Sequence, residues 1–207
     1  MFVLPVALRG FDNWLGCVVA VLIAVTIQGE AQVFFSLLVR PKARLKDVRF
    51  SFNPLEHLDL RSLPVFVLGG WVWNRAEILT APEIRGHWVY PSLTAVAGAV
   101  GNLLLAGIFT TLHDLFFASP IMKIAIMVNL QVALGNLLLP IPPLAVGRAF
   151  LVHLPAYRDR RAVVDGVGSA LLTAWVAAEY WRVLPGPASG ILAASAWLYR
   201  LLMGPAA

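Results

Sequence analysis

Two glutamines and a glutamate follow one another inside a long apolar stretch, residues 24–39, whose sequence is AVTIQGEAQVFFSLLV. Gln28 and Gln32 are four residues apart, so they project from the same face of a helix. Two histidines at this spacing can bind one metal ion, and in the H-E-x-x-H pattern the residue after the first histidine is the general base. Here both ligand positions carry amides and the base position carries Gly29. The spacing of a metal site is present without its ligands.

The carboxyl group of this stretch, Glu30, cannot serve the position of the missing base on a helix. At about 100° per residue, Glu30 points roughly 160° away from Gln32. An ionised carboxylate far from a helix end is costly inside a membrane, so Glu30 must be protonated or paired. Two alternatives stay open, a partner within this chain's own helices and a partner on a different polypeptide.

The apolar content of the chain predicts an integral membrane protein. The 207 residues are 59% hydrophobic and 13% charged, which is more apolar surface than a soluble domain of this length can bury. The net charge of +5 comes from basic residues in loops between apolar segments. That pattern is typical of membrane topology and argues against nucleic acid as a partner. The predicted fold is a single all-α membrane domain, residues 1–207, built as a polytopic helical bundle.

About five membrane-spanning helices are predicted from the apolar segments, at 14–39, 89–118, 121–139, 164–184 and 188–203. Residues 50–87 contain an apolar core, LPVFVLGGWVW, that is too short and too glycine-broken for a span, which predicts a re-entrant or interfacial hairpin after the first helix. The basic loops at 40–49 and 148–161 fall on one side of this topology. They predict an outside N-terminus, a cytoplasmic C-terminus and location in the inner (cytoplasmic) membrane.

Four segments between residues 14 and 150 carry motifs, in the order QGEAQ, NPLEHLDLRSLPVFVLGGW, LTAVAGAVGNLLLAGI and NLLLPIPPLAVGR. They resemble the site-2 proteases, a family of intramembrane zinc metallopeptidases. That family has H-E-x-x-H, an N-P-L-x-H-x-D-like run before an apolar hairpin, an A-G-P-x-x-N-L-L-L-A helix and N-L-L-P-I-P-P-L-D-G-x-R at the corresponding places. The resemblance implies a site-2-protease-like core over residues 14–150, followed by a basic loop and C-terminal membrane helices over residues 151–207.

The same resemblance implies a degenerate member of that family. The two ligand histidines correspond to Gln28 and Gln32, the catalytic glutamate to Gly29 and the ligand aspartate to Ala145. Every group that would bind zinc or activate its water is replaced. The expectation is a pseudoprotease that holds no zinc and is not an enzyme.

Other polar residues of the predicted spans are candidate contacts for a cleft ligand or for a partner. Asn102 and Asn136 each begin an NLLL run, where the resembled family has asparagines near its substrate cleft, and Gln131 adds to the same interior. Amide bonds between neighbouring helices are an equally simple explanation for these residues and for the two glutamines. The histidines are widely scattered, which predicts no replacement metal site. A bound lipid, pigment or quinone in the former zinc cleft stays open.

The predicted function is binding rather than catalysis. The leading hypothesis is a structural or assembly subunit of a larger, multisubunit membrane protein complex, with integral membrane proteins and lipids as partners. One alternative is a stand-alone regulatory pseudoprotease that binds a client transmembrane helix. Another is an intramembrane metalloprotease still active through rearranged residues, which would require Glu30 and distant histidines to converge against the helix geometry.

Overall fold

The computed structural model describes residues 10–39, 49–75, 89–116 and 118–204 as a helical protein. One antiparallel bridge, Leu58 with Asn74, is the only β pairing in these ranges, so the prediction of an all-α protein is confirmed. The helices are α1 (Phe11–Val39), α2 (Pro54–His57), α3 (Leu63–Gly69), α4 (Val89–Leu115), α5 (Pro120–Leu138), α6 (Ala145–Leu151), α7 (Pro155–Tyr180) and α8 (Pro187–Met203). The predicted basic loop at 40–49, except its last residue, and residues 76–87 of the predicted hairpin lie outside the described ranges.

Within the described ranges four helices are long and apolar enough to cross a membrane, namely α1, α4, α5 and the Asp159–Tyr180 part of α7. Their length and composition support a multi-pass membrane protein. The fifth predicted span forms α8, whose 17 residues make it shorter than the other four. Leu198 and Met203 of α8 pack against Ile126 and Leu130 of α5. The exact number of spans and their orientation stay predictions.

The predicted span at 164–184 ends four residues early, at Tyr180, because the chain turns there. Arg182 adopts a left-handed conformation, with a φ of 59°, which cannot continue a helix. The Glu179 carboxylate then accepts hydrogen bonds from N of Ala188 at 2.7 Å and N of Ser189 at 2.8 Å, in the first turn of α8. These bonds supply acceptors for backbone groups that a helix N-terminus leaves unpaired. The turn therefore joins α7 to α8 through a fixed cap.

Small residues bring α1 and α4 together. Ala95, Gly98 and Gly101 are spaced three residues apart on one face of a helix, which predicts close helix packing, and the structure confirms this. A Cβ built on Gly101 would lie only 2.8 Å from Cβ of Ala31 on α1. On its other side α1 packs against α5 in an apolar cluster that includes Cys17, Ala20, Val21, Ala24, Val25, Val128 and Val132.

The segment after α1 forms two short helices and then an extended return. Asn53 caps α2 by accepting a hydrogen bond from N of Leu55 at 3.1 Å, and α3 ends at Gly70, whose φ of 94° favours glycine. Residues 71–74 then run back to the end of α2, and the three side chains of Trp71, Val72 and Trp73 are fully buried. Neither helix is long enough to span. The described part of the predicted hairpin is therefore a compact insertion packed into the protein.

Candidate functional site

Gln28, at the first position that the resemblance assigns to a zinc ligand, lies against α4. A Cβ built on Gly98 would lie 2.6 Å from Cγ of Gln28, so glycine is needed for this approach. Gln28 is buried, and its Oε1 has no hydrogen-bond partner among the described residues. The first former ligand position is therefore enclosed by the helix pair.

Both polar atoms of the Gln32 side chain are used in bonds that join three segments. Nε2 donates to the carbonyl oxygen of Ala95 on α4 at 2.9 Å, and Oε1 accepts from Nδ2 of Asn74 at 2.8 Å. Gln32 and Asn74 are both buried, so the bonds lie in the interior. The second former ligand position thus holds a cross-link between α1, α4 and the extended segment 71–74.

The ring of His57 occupies the space beside Gly29, where the resemblance places the general base. A Cβ built on Gly29 would overlap Nδ1 of His57 and would lie 2.7 Å from its Cε1. A larger side chain fits only if the ring moves. Glycine at this position therefore has a packing reason in addition to lacking a carboxylate.

Glu30 finds its partners within this chain. Its Oε1 accepts from N of Ser51 at 2.7 Å and lies 3.0 Å from Nε2 of His57. The same ring nitrogen lies 2.6 Å from the carbonyl oxygen of Ser51, and because a carbonyl oxygen only accepts, Nε2 carries a proton. The first of the two alternatives for Glu30 therefore holds. The expectation that Glu30 and a distant histidine do not converge is wrong, because the segment after α1 folds back along the face that carries Glu30.

The last former ligand position, Ala145, begins α6 and carries no side-chain ligand. Its N donates to Oδ1 of Asn136 at 3.3 Å. Nδ2 of Asn136 donates to the carbonyl oxygens of Val72 at 2.7 Å and Val132 at 2.8 Å. The candidate contact Asn136 is thus an internal cross-link between α5, α6 and the extended segment.

Asn102 and Gln131 keep unused hydrogen-bonding capacity in the interior. Both are buried, on α4 and α5, two helices that pack against each other. Both amide atoms of Asn102 and Oε1 of Gln131 lack a partner within the described ranges. Unpaired buried amides are costly, so these two positions favour a further polar group. Their contact with a ligand or partner stays a prediction.

A buried ion pair that the sequence analysis did not single out lies close to Ala145. Arg148 donates from Nε and Nη2 to Oδ2 of Asp165 at 3.2 and 2.9 Å, and from Nη1 to the carbonyl oxygen of Asn74 at 3.0 Å. The hydroxyl of Tyr157 donates to Oδ1 of Asp165 at 3.0 Å. Burial and the Asp165 charge raise the pKa of Tyr157 to about 12. A carboxylate within an apolar helix is the signal that could have predicted this pair.

A second ion pair lies in the turn between α2 and α3. Arg61 donates from Nε to Oδ1 of Asp59 at 2.9 Å and from Nη2 to Oδ2 at 2.6 Å, and Nε1 of Trp73 donates to Oδ2 at 3.2 Å. Burial alone would raise the pKa of Asp59. Hydrogen bonds from the side chain and backbone of Arg61, its charge and the bond from Trp73 together lower that pKa. Asp59 is therefore stabilised as a carboxylate.

The residues at the positions that the resemblance assigns to zinc ligands, namely Gln28, Gln32 and Ala145, do not fit a zinc ion. Zinc in proteins is bound by cysteine, histidine, aspartate and glutamate, whereas these positions hold two amides and a methyl group. The Gln32 amide is already bonded at both atoms. Within residues 10–39, 49–75, 89–116 and 118–204, no three histidine, cysteine, aspartate or glutamate side chains gather as a ligand set. The absence of zinc from the protein stays a prediction.

Comparison with known proteins gives one distant relative. The chain is 27% identical over 145 residues to "Putative zinc metalloprotease YwhC" of Bacillus subtilis (strain 168), an alignment that spans 61% of this chain and 64% of the relative. No family model matches the chain, and no solved structure matches it. The likeness agrees with the predicted family at the level of a distant similarity to a protein of that description. It leaves the degeneracy of the site to be argued from the residues themselves.

Proposed function

We propose that this protein is a membrane-embedded binding protein with a site-2-protease-like fold and no zinc-peptidase activity, and that it serves as a structural or assembly subunit of a larger membrane complex. The bonding of Gln32 carries the proposal. Its two polar atoms hold α4 and the extended segment in place, so Gln32 acts as a cross-link of the fold, and each atom keeps only its second N–H or lone pair. Gln32, at the second position that the resemblance assigns to a zinc ligand, thus serves to hold the fold together.

The other former site positions support the same conclusion. Gly29 makes room for the His57 ring, so the position of the general base is closed by packing. Ala145 contributes a backbone N–H to Asn136 and no side-chain ligand. These bonds give Gly29, Gln32 and Ala145 a structural role, and contacts with partner proteins would use the exposed surface.

Aromatic side chains at that surface suit contacts within the membrane. Phe11 and Trp14 at the start of α1, and Trp181 just after α7, are exposed, as is Trp197 on α8. Such residues are enriched at membrane interfaces and at protein interfaces, because a rigid ring buries a large area. A subunit would cover part of this surface with its partner and the remainder with lipid.

A second candidate, a regulator that holds a client transmembrane helix, is favoured by a groove between α1 and α4. The groove encloses about 280 Å³. Its walls are apolar, with Phe34 and Phe35 from α1 facing Val96, Val100 and Leu104 from α4. Helix association in lipid depends on such van der Waals packing. The client would lie along this groove rather than in the former zinc cleft.

An enzyme acting through rearranged residues would have to start from Glu30 and His57, which do meet. Two ligands fall short of the three protein ligands that catalytic zinc sites use. Their bonds to Ser51 also engage both side chains in the local fold. This alternative therefore lacks a third group.

The test is native-gel electrophoresis of the protein extracted from its source membranes in a mild detergent, with co-migrating proteins identified by mass spectrometry. A subunit runs in a large assembly with fixed stoichiometry. Migration as a stable single chain would refute the subunit proposal. Stoichiometric zinc by elemental analysis, together with cleavage of a membrane peptide, would refute the absence of activity.

The two binding functions are separated by photo-crosslinking. A photoreactive residue is placed at Val100 in the groove and, as a matched control, at Val167 on the exposed face of α7. A client-binding regulator gives one specific crosslink from Val100 and none from Val167. Crosslinks only to members of the co-purifying complex favour the subunit.

A further inference from the structure

A cavity lined by arginines opens beside the Arg148–Asp165 pair. It encloses about 560 Å³. Among the described residues, its charged lining consists of four arginines and two aspartates, namely Arg61, Arg75, Arg148, Arg161, Asp59 and Asp165. The formal charge of this lining is four minus two, or +2.

Both aspartates of the cavity are already engaged. Asp59 accepts from Arg61 and Trp73. Asp165 accepts from Arg148 and Tyr157, and Nε of Arg161 lies 3.5 Å from its Oδ2. Neither carboxylate has the capacity to neutralise a further arginine. The described lining therefore carries an excess of positive charge, which favours an anion as its ligand.

Two of the arginines, Arg148 and Arg61, are held in place by bonds within the protein. Arg148 is buried and fixed at three nitrogens by Asp165 and the carbonyl oxygen of Asn74. The bonds from Arg61 to Asp59 do not use Nη1, which lies 4.0 Å from the position of a Cβ on Gly166 of α7. Arg61 thus extends from the turn after α2 to α7. A guanidinium fixed in this way keeps N–H donors for a second acceptor, since it carries five.

The place of the cavity in the fold narrows the class of anion. Arg161 is the third residue of the candidate span Asp159–Tyr180, so the cavity lies at one end of the apolar part of α7. Phosphate groups of anionic lipids occupy this level of a membrane, and basic pockets between membrane helices bind them. Arginine suits phosphate because its planar N–H donors match the oxygens in pairs.

We propose that this cavity is a binding site for a phosphate group, with Arg61, Arg75 and Arg161 as its contacts and Arg148 as a fixed neighbouring charge. The phosphate belongs either to the headgroup of an anionic phospholipid or to a soluble phosphate compound. The site is separate from the proposed subunit function and does not depend on it.

The experiment is native mass spectrometry of the delipidated full chain in detergent, titrated with phosphatidylglycerol and, in a second arm, with inorganic phosphate. We expect one saturable phosphatidylglycerol site, bound about tenfold more weakly in Arg75→Gln and in Arg161→Gln. The matched control Arg200→Gln removes the same charge from α8 and should bind as the unaltered chain does, which separates the site from general attraction to anionic lipid.

The two sources of phosphate give different results. Competition by inorganic phosphate identifies a soluble ligand, whereas phosphatidylglycerol binding that inorganic phosphate does not displace identifies a lipid site. Arg75→Lys and Arg161→Lys keep the charge and the fold and should still weaken binding, since lysine cannot donate in pairs. The proposal is overturned if neither compound binds saturably, or if the cavity variants bind as tightly as Arg200→Gln.

Discussion

Replacing Gly29 with alanine gives the sharpest test of the rebuilt site. Alanine is a better helix former than glycine, so an unobstructed Gly→Ala change in a helix stabilises by about 0.5–1 kcal/mol. At position 29, however, the new Cβ overlaps the ring of His57. The local helix preference and the packing therefore act in opposite directions, and packing should win.

The size of the loss follows from two terms. Forcing a methyl group into a filled space costs about 1–3 kcal/mol. If His57 moves to accept it, Glu30 loses its bond to the ring and stays buried, at a further cost of about 1–3 kcal/mol. After the helix gain of about 0.5–1 kcal/mol is subtracted, the expected destabilisation by Gly29→Ala is about 1–5.5 kcal/mol, or at least about 2 °C in melting temperature for a chain of this size.

The assay is thermal unfolding in detergent, with Gly107→Ala as the matched control. Gly107 also lies inside a long apolar helix, and a Cβ there meets nothing within 4 Å. We expect Gly107→Ala to melt at or above the temperature of the unaltered chain. His57→Ala supplies the second background, in which Gly29→Ala should lose most of its overpacking cost.

Two results would refute this explanation of position 29. One is a Gly29→Ala variant that melts like Gly107→Ala, which would mean that the His57 ring is not held against α1. The other is an equal loss from Gly29→Ala with and without the His57 ring, because the clash is then with something else. Either result would reopen the base position for chemistry.

Three further predictions concern other parts of the site. Gln32→Leu should destabilise the fold by about 1–3 kcal/mol, since the buried Nδ2 of Asn74 loses its acceptor. A melting temperature no lower than that of Phe34→Leu, a change at an exposed position of the same helix, would contradict this. The folded-state pKa of Asp59 is lowered, so its carboxylate stabilises the protein above the ordinary pKa, and this contribution is lost as pH falls through the folded-state pKa. The difference in melting temperature between the unaltered chain and Asp59→Asn should therefore narrow between neutral pH and about pH 3. A difference that stays constant over this range would contradict the prediction. A variant with all four metallopeptidase residues restored at the former zinc site should still lack stoichiometric zinc and peptide cleavage, because a glutamate in place of Gly29 meets the His57 ring; zinc analysis and a peptide assay check this.

Helix positions could be predicted from the sequence where the apolar pattern is long and its ends carry chemical signals. The prediction of 121–139 falls within one residue of α5, because Ser119 caps N of Met122 and Pro120 begins the helix. The prediction places the start of α7 nine residues after Pro155, since the first turns are polar and a tertiary bond, from Tyr157 to Asp165, gives them a buried role. A hydropathy pattern predicts the apolar half of such a helix but gives no sign of its polar half.

The partners within the site could not be predicted, because they depend on how the segment after α1 returns. The need of Glu30 for a partner follows from its depth in the helix, but the choice of His57, 27 residues later, depends on the fold of residues 49–57. Likewise, the pairing of Gln32 with Asn74 across 42 residues requires the turn at Gly70. The sequence indicates that a buried polar side chain needs a hydrogen-bond partner, whereas only the tertiary structure shows which residue that partner is.

Glu30 and Gln32 of α1 and Asn136 of α5 are explained by the insertion, whose polar groups they bond. Backbone that is neither helix nor sheet is tolerated at membrane depth only where protein or water satisfies its polar groups. The extended segment 71–74 is such backbone, and side chains satisfy it: Asn136 donates to the carbonyl oxygen of Val72 and Arg148 to that of Asn74. Gln32 in turn accepts from the Asn74 side chain.

The same relation holds at the other end of the insertion. N of Ser51 donates to Glu30, and the carbonyl oxygen of Ser51 lies within hydrogen-bonding distance of Nε2 of His57. An apolar residue at position 30 or 32 would leave buried polar groups of the insertion without partners, which costs more than burying an amide or a carboxyl group that is bonded. A metal site and a bonded insertion both require polar groups on α1 at this depth. Glu30 and Gln32 meet the second requirement, which gives these polar side chains a structural reason independent of any metal.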